Sequence, residues 1–339
     1  MKYSRDLAWQ QGTSAALWFL AGSAVYLGCG NELGLAKLPA LLIALVGVFV
    51  LLKAYRSFLK PGISYCVPGV LLCLSGGLII IGWLYCGILE LWLAATGYTA
   101  YFWLYAALPL ILFPLVALRG KISVMRCGPL LCFLLLITVL LDTVFSISRM
   151  DISLLIDWKA KQDMGFGFSL LQIFLCFDAP GILMVWENGG KKDEQVIPAA
   201  YRGGIWAAAG YLVLQLLRDL LLFGDMISLD KYPVLRTLRS VDIGVGISRL
   251  EFFGLIFLGM VVLAGIMLCF HTVNRTASAI CGKKQWLPVL IQTAAVYLLS
   301  LAFHAMQGGR LPEILGGAGC LLVLTGTVVP CLIKAGNRG

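Results

Sequence analysis

An all-α integral membrane protein of ten transmembrane helices, arranged as a five-plus-five inverted repeat, is the fold the sequence predicts. Three observations predict it. The 339 residues are 60% hydrophobic and 13% charged, with a mean hydropathy of +0.92, whereas soluble domains carry about 25% charged residues. Apolar segments follow one another along almost the whole chain, of the length that crosses a hydrocarbon core of about 30 Å as helix. Basic residues gather in alternate connecting loops, as they do on the cytoplasmic side of membrane proteins.

The elements follow in order. Leu7–Gly28 comes after Lys2 and Arg5, and Ala21 to Ala24 are small. It is longer than the apolar region of a signal peptide and further spans follow, so it reads as a retained first span. Leu38–Leu52 is the second, and Pro68–Ala95 is long enough to tilt strongly. Thr99–Leu118 and Pro129–Ile147 complete a first repeat over about residues 7–147. Phe166–Trp186, Gly203–Phe223, Leu250–Val273, Trp286–Phe303 and Ile314–Leu332 form the second, over about 166–332. Residues 1–339 then make a single transmembrane domain. The long loop from Ser148 to Gly165 separates the halves and carries charges of both signs. The repeat itself is inferred from topology, because the halves share no clear sequence identity.

Loop charges test the count. With the N-terminus inside, the cytoplasmic segments hold sixteen basic residues and the outer loops eight, while Arg218 and Arg249 lie at or inside span ends. That bias puts both termini in the cytoplasm. One span more or fewer would invert the later loops and spoil the asymmetry. The net charge of +9 has the same origin, and no basic run with interleaved aromatics points to nucleic acid. The eleven Cys include no C-x-x-C pair and read as buried reduced thiols. His271 and His304 are more than a helical turn apart, so no zinc spacing arises. No metal or cofactor is expected. Neither a G-x-S-x-G, a P-loop nor an H-E-x-x-H occurs, so the chain does not read as an enzyme.

A ligand site in a five-plus-five fold lies near the midplane, where the first helix of each half is broken. Backbone freed by a break must face a cavity or a ligand rather than lipid. In span one the candidates are Gly22, Ser23 and Ala24, for which close packing of small residues is an equal reading. In span six they are Cys176, Phe177, Asp178, Ala179, Pro180 and Gly181. There Pro removes a donor, Gly tolerates non-helical dihedrals, and an ionisable group in lipid marks function. Glu90 and Asp142 are deeper carboxylates, candidates for a proton path or a structural hydrogen bond. Asp219 beside Arg218, and Arg249 with Glu251, read as interfacial ion pairs or snorkelling side chains. His271 and His304 read as satisfied polar residues.

The stretch from Tyr232 to Glu251 is polar, with specific Pro, Gly and charge spacing. Tyr232, Pro233, Leu235, Arg239, Ile243, Gly244, Ile247, Arg249, Leu250 and Glu251 resemble the spore germination receptor B-subunit family, amino-acid-permease-like (APC superfamily) proteins of endospore-forming bacteria. Gly22 to Val25, Thr99 with Trp103, and Val124 with Arg126 look similar too. The resemblance implies a broken-helix permease fold in the spore inner membrane. It also implies binding of a small nutrient, often an amino acid, beside A-type and C-type receptor subunits. Carried over by position, the ligand meets the backbone at Gly22 to Ala24 and at Cys176 to Gly181. The chain departs from the family's pattern at three places. Asp178-Ala179-Pro180-Gly181 replaces a Pro-Phe-Gly-Glu break, Leu263 stands where many members have Lys, and the Pro closing the span-one break is missing. A proton-coupled amino-acid transporter and a scaffold subunit without ligand binding are the alternative functions.

Overall fold

The computed structural model describes residues 2–29, 67–119, 122–156, 198–224, 250–281, 286–306 and 311–336, with position 236 and a few positions between 42 and 49. Among them all regular structure is helical. We number the helices α1 (Lys2–Cys29), α2 (Val67–Thr96), α3 (Phe102–Leu110), α4 (Leu112–Arg119), α5 (Ile122–Ser146), α6 (Ser153–Ile156), α7 (Pro198–Phe223), α8 (Leu250–Cys281), α9 (Trp286–Ala305) and α10 (Leu311–Gly336). Five of these are long and apolar enough to cross a membrane: α2, α5, α7, α8 and α9. The chain reads accordingly as an integral membrane protein. Of the expected spans, Leu38–Leu52 and Phe166–Trp186 lie wholly or largely outside the described residues.

α8 is the axis of the bundle. Its residues 253–270 are apolar on every face, which suits a helix largely enclosed by others, and Val261, Val262, Ile266, Cys269 and Phe270 are buried. It packs on α1, α2, α4 and α5. α2 lies beside it and takes α10 and α9 on its other faces. Small residues permit the close approaches. A Cβ at Gly76 would strike the Gly319 carbonyl, and one at Gly326 would lie 2.7 Å from the Gly69 carbonyl oxygen. This is the small-residue packing by which membrane helices gain van der Waals contact without a hydrophobic driving force.

Pairs of touching residues give the helix directions. Cys73 meets Gly326 and Trp83 meets Gly316, so α10 is antiparallel to α2. Gly77 meets Val273 and Trp92 meets Gly259, so α8 is antiparallel to α2 as well. Gly82 meets Leu299 and Glu90 meets His304, so α9 runs parallel to α2. Gly128 of α5 and Gly204 of α7 both meet the first half of α1, at Thr13 and Gly12. The other ends of α5 and α7 meet each other, where the Asp151 N–H donates to the Leu221 carbonyl at 2.9 Å. α5 and α7 are therefore parallel.

Two expectations about broken helices meet the structure differently. α1 is a continuous helix through Gly22, Ser23 and Ala24, which corrects the expected break in span one. Just below these residues a Cβ at Gly265 would lie 2.5 Å from the Leu17 carbonyl oxygen and 2.6 Å from Ala21 Cβ. Small residues here let α1 and α8 pack closely, the alternative reading of that segment. Among the described residues, the expected span Thr99–Leu118 is interrupted. It forms a 3-10 turn at Thr99–Tyr101, then α3, a turn at Ile111, and α4. Pro114 explains the interruption, since it cannot donate to the carbonyl four residues back and its ring crowds that carbonyl. Tyr hydroxyls serve the broken segment: Tyr85 donates to the Ala106 carbonyl at 2.7 Å and Tyr297 to the Trp103 carbonyl at 3.1 Å. Phe113, just past the break, lies edge-on to both Tyr85 and Phe270.

Candidate functional site

Two polar stripes face each other between α5 and α7. On α5, Thr138, Asp142 and Ser146 recur every four residues and are all buried, so they lie on one face. On α7, Tyr211, Gln215, Arg218 and Asp219 follow helical spacing and are buried as well. Arg218 is only 2% exposed. Its Nε and Nη2 donate to Asp219 Oδ1 at 3.1 and 3.0 Å. Its Nη1 lies 3.7 Å from Asp142 Oδ2 on the facing helix. Asp142 Oδ2, Arg218 Nη1 and Gln215 Oε1 make no hydrogen bond among the described residues. The Ser146 hydroxyl, one turn nearer the helix end, donates to the Asp142 carbonyl at 2.6 Å.

Arg218 and Asp219 form the ion pair expected of them, but as buried groups rather than as snorkelling side chains. Arg218 turns inward because α5 offers it a carboxylate. A buried guanidinium requires such a partner, given the cost of desolvating an ion. Above the seam, the segment after α5 closes the end of α7. Besides its bond to Leu221, Asp151 caps the single turn of α6: the Ser153 N–H donates to Asp151 Oδ1 at 2.8 Å. Hydrogen bonds from Ser153 hold the exposed Asp151 carboxyl below its usual range.

A second polar contact sits near the C-terminal ends of α2 and α9. Glu90 is buried. His304 Nδ1 lies 3.0 Å from its Oε1, and the Cys86 thiol approaches the same oxygen at 3.3 Å. The His304 ring stacks on Phe102, with centroids 3.9 Å apart and planes inclined by 2°. One imidazole thus ties α2, α3 and α9 together. His304 is a satisfied polar residue, as expected.

Of the expected site residues, Gly22 is buried in the intact α1. Ser23 and Ala24 belong to the same helix. Cys176, Phe177, Asp178, Ala179, Pro180 and Gly181 lie outside the described residues, as do most positions of the Tyr232 stretch. Glu90 and Asp142 each have an ionisable partner on another helix. Those partners, His304 and Arg218, were not expected. The four-residue spacing of Thr138, Asp142 and Ser146 was a usable signal for the α5 stripe. The match between Asp142 and Arg218, 76 positions apart, had none. Among the described residues no group of three His, Cys, Asp or Glu could hold a metal. No known family's sequence profile matches the chain, and no curated protein matches it.

Proposed function

We propose that the chain is the membrane subunit of a spore germinant receptor. In this reading it sits in the spore inner membrane with both termini in the cytoplasm and works with A-type and C-type subunits. It binds a small nutrient, an amino acid in the first instance, at the backbone of Cys176 to Gly181, the segment of the expected site that α1, continuous through Gly22 to Ala24, leaves. The observation that carries the reading is the Tyr232–Glu251 pattern, whose last two residues open α8. A motif anchored on the axial helix can report a change in the bundle to a neighbouring subunit. Nutrient binding then acts by preferring one arrangement of the helices over another. Support for a ten-span plan comes from the helix directions: α2, α9 against α8, α10, and α5 with α7, are those that ten alternating spans require.

The test is genetic. Spores lacking the chain should lose their response to one nutrient while germinating normally through other routes. An unaltered response to every nutrient would sink the receptor reading. Spores carrying Asp178→Ala at normal protein level address the site separately, and an unchanged dose response there removes Asp178 from it.

A second reading is favoured by the buried ionisable groups. A proton-coupled amino-acid transporter needs a titratable residue within the bundle, and Asp142 and Glu90 are such residues. Uptake of labelled amino acids by proteoliposomes, driven by a pH gradient and requiring only this chain, would support the transporter over the receptor.

A further inference from the structure

The contact between Glu90 and His304 joins a buried acid to a partly open base. The Glu90 side chain is 6% exposed and that of His304 is 35% exposed. Glu90 Oε1 meets His304 Nδ1 at 3.0 Å and the Cys86 thiol at 3.3 Å. The thiol donates without bringing charge. Among the described residues, His304 is the basic side chain that meets Glu90. With one proton shared between carboxyl and imidazole the pair is neutral overall, whichever atom holds it. Without that proton the pair keeps a negative charge in a site that penalises it.

The surroundings favour the loaded pair. His304 stands in the last turn of α9, where the unpaired carbonyls of a helix end attract a cation. Its ring lies flat on Phe102 at 3.9 Å between centroids, and an aromatic face also attracts a cation. The helices that pack on α9 are α2, α3, α4 and α8, and among the described residues they bring no second cation to the pair. On α2 the other titratable groups nearby are Cys86, Tyr85, which donates to the Ala106 carbonyl, and the exposed Tyr98. α3 carries no charged residue, and its Tyr105 stacks on Tyr98. Arg119 ends α4, on the far side of the break from α3. On α8, Glu251 lies in the first turn. Cys269, His271 and Arg275 lie near Val273, which meets Gly77 far from Glu90 along α2. Within α9 the Tyr297 hydroxyl donates to the Trp103 carbonyl.

We propose that Glu90 and His304 form a one-proton site that latches α9 to α2 and α3. The proton enters through the imidazole, the exposed member of the pair, at the end of α9. Loaded, the pair is neutral and one ring holds three helices together. On release, the buried carboxylate faces a neutral imidazole and the attraction between α2 and α9 weakens. The hold is strongest below the pH of release and is lost as pH rises through it. The latch is present whether the chain senses a nutrient or transports one.

The experiment is a magnetic-resonance titration of the full chain in lipid nanodiscs, grown with isotope-labelled histidine. The chain has two His, so His304→Gln identifies the signal of His304. Over about pH 5–8, where histidine changes charge, that signal should report the release of one proton. In Glu90→Gln the release should move to lower pH, because the carboxylate that completes the neutral pair is gone. A release that stays in place overturns the proposal. Hydrogen exchange gives an independent readout should Glu90→Gln fail to fold. Corrected for the intrinsic rate, exchange in α3 and in the last turn of α9 should quicken as pH rises through the release. His304→Gln should abolish that dependence, and its persistence there overturns the latch.

Discussion

The α2–α10 contact and the α5–α7 contact are both helix interfaces in one bundle, yet they are built from opposite materials. The first is closed by glycine: Gly69, Gly76, Gly316, Gly319 and Gly326 bring backbone against backbone or ring. It offers little that a change of pH could alter. The second is closed by ions, with Asp142, Arg218 and Asp219 buried between stripes of hydroxyl and amide groups. Exposure differs too. In the apolar stretch of α5, 28% of residues are buried, against 56% in α2. The lesson is that a glycine seam is set by backbone contact, while an ionic seam is set by the balance of charge across facing helices.

The largest break in that comparison comes from removing the guanidinium. Arg218→Ala removes the guanidinium that the buried Asp142 and Asp219 carboxylates both face and should cost about 3–5 kcal/mol. Thermal unfolding in detergent, or loss of folded material on size exclusion, would report it. A melting temperature equal to that of the unsubstituted chain would show that the seam is not held by charge. Overpacking the glycine seam comes next. Gly76→Val forces side-chain volume against the Gly319 carbonyl and should cost about 1–3 kcal/mol, with no dependence on pH. A pH-dependent loss would mean the two seams are coupled.

Smaller effects sharpen the picture at the other polar contact. His304→Leu strands the Glu90 carboxylate with only a thiol beside it, worth about 1–3 kcal/mol. The double variant with Glu90→Leu should recover most of the loss, because an apolar pair needs no partner. Failure of the double variant to recover would assign the effect to the Phe102 stack instead. Tyr85→Phe removes the hydroxyl that serves the broken α3 and should cost about 0.5–1.5 kcal/mol. The smallest change is local. Asp151→Ala should speed hydrogen exchange at the Ser153 N–H without altering global melting. Because the native carboxyl titrates below its usual value, this contribution is present above about pH 4 and is lost as pH falls through the lowered folded value. Equal exchange in both proteins at neutral pH would remove the cap.

How much of this could be read without coordinates depends on the range of the contact. Apolar length identified α2, α5, α7, α8 and α9, because a helix that satisfies its own backbone needs no partner to be recognised. Glu90 and Asp142 were marked by being carboxylates in apolar segments. Their partners were not, since pairing depends on how helices are rotated about their axes. Pro109 and Pro114 were visible in span four, yet the break was sought in spans one and six, where topology pointed.

The sequence by itself determined that this chain belongs in a bilayer, which stretches are apolar enough to cross it, and which acidic residues lie at depth. Composition and length suffice for that, because lipid forces each span to close its own hydrogen bonds. Only the tertiary structure decided that Arg218 faces inward, that Gly22 to Ala24 stay helical, and that the described break falls after Leu110. Each of these is a choice between alternatives of similar local cost. Packing settles them: a carboxylate on a facing helix, a neighbour close enough to want small residues, and two tyrosine hydroxyls placed to meet the backbone of a broken segment.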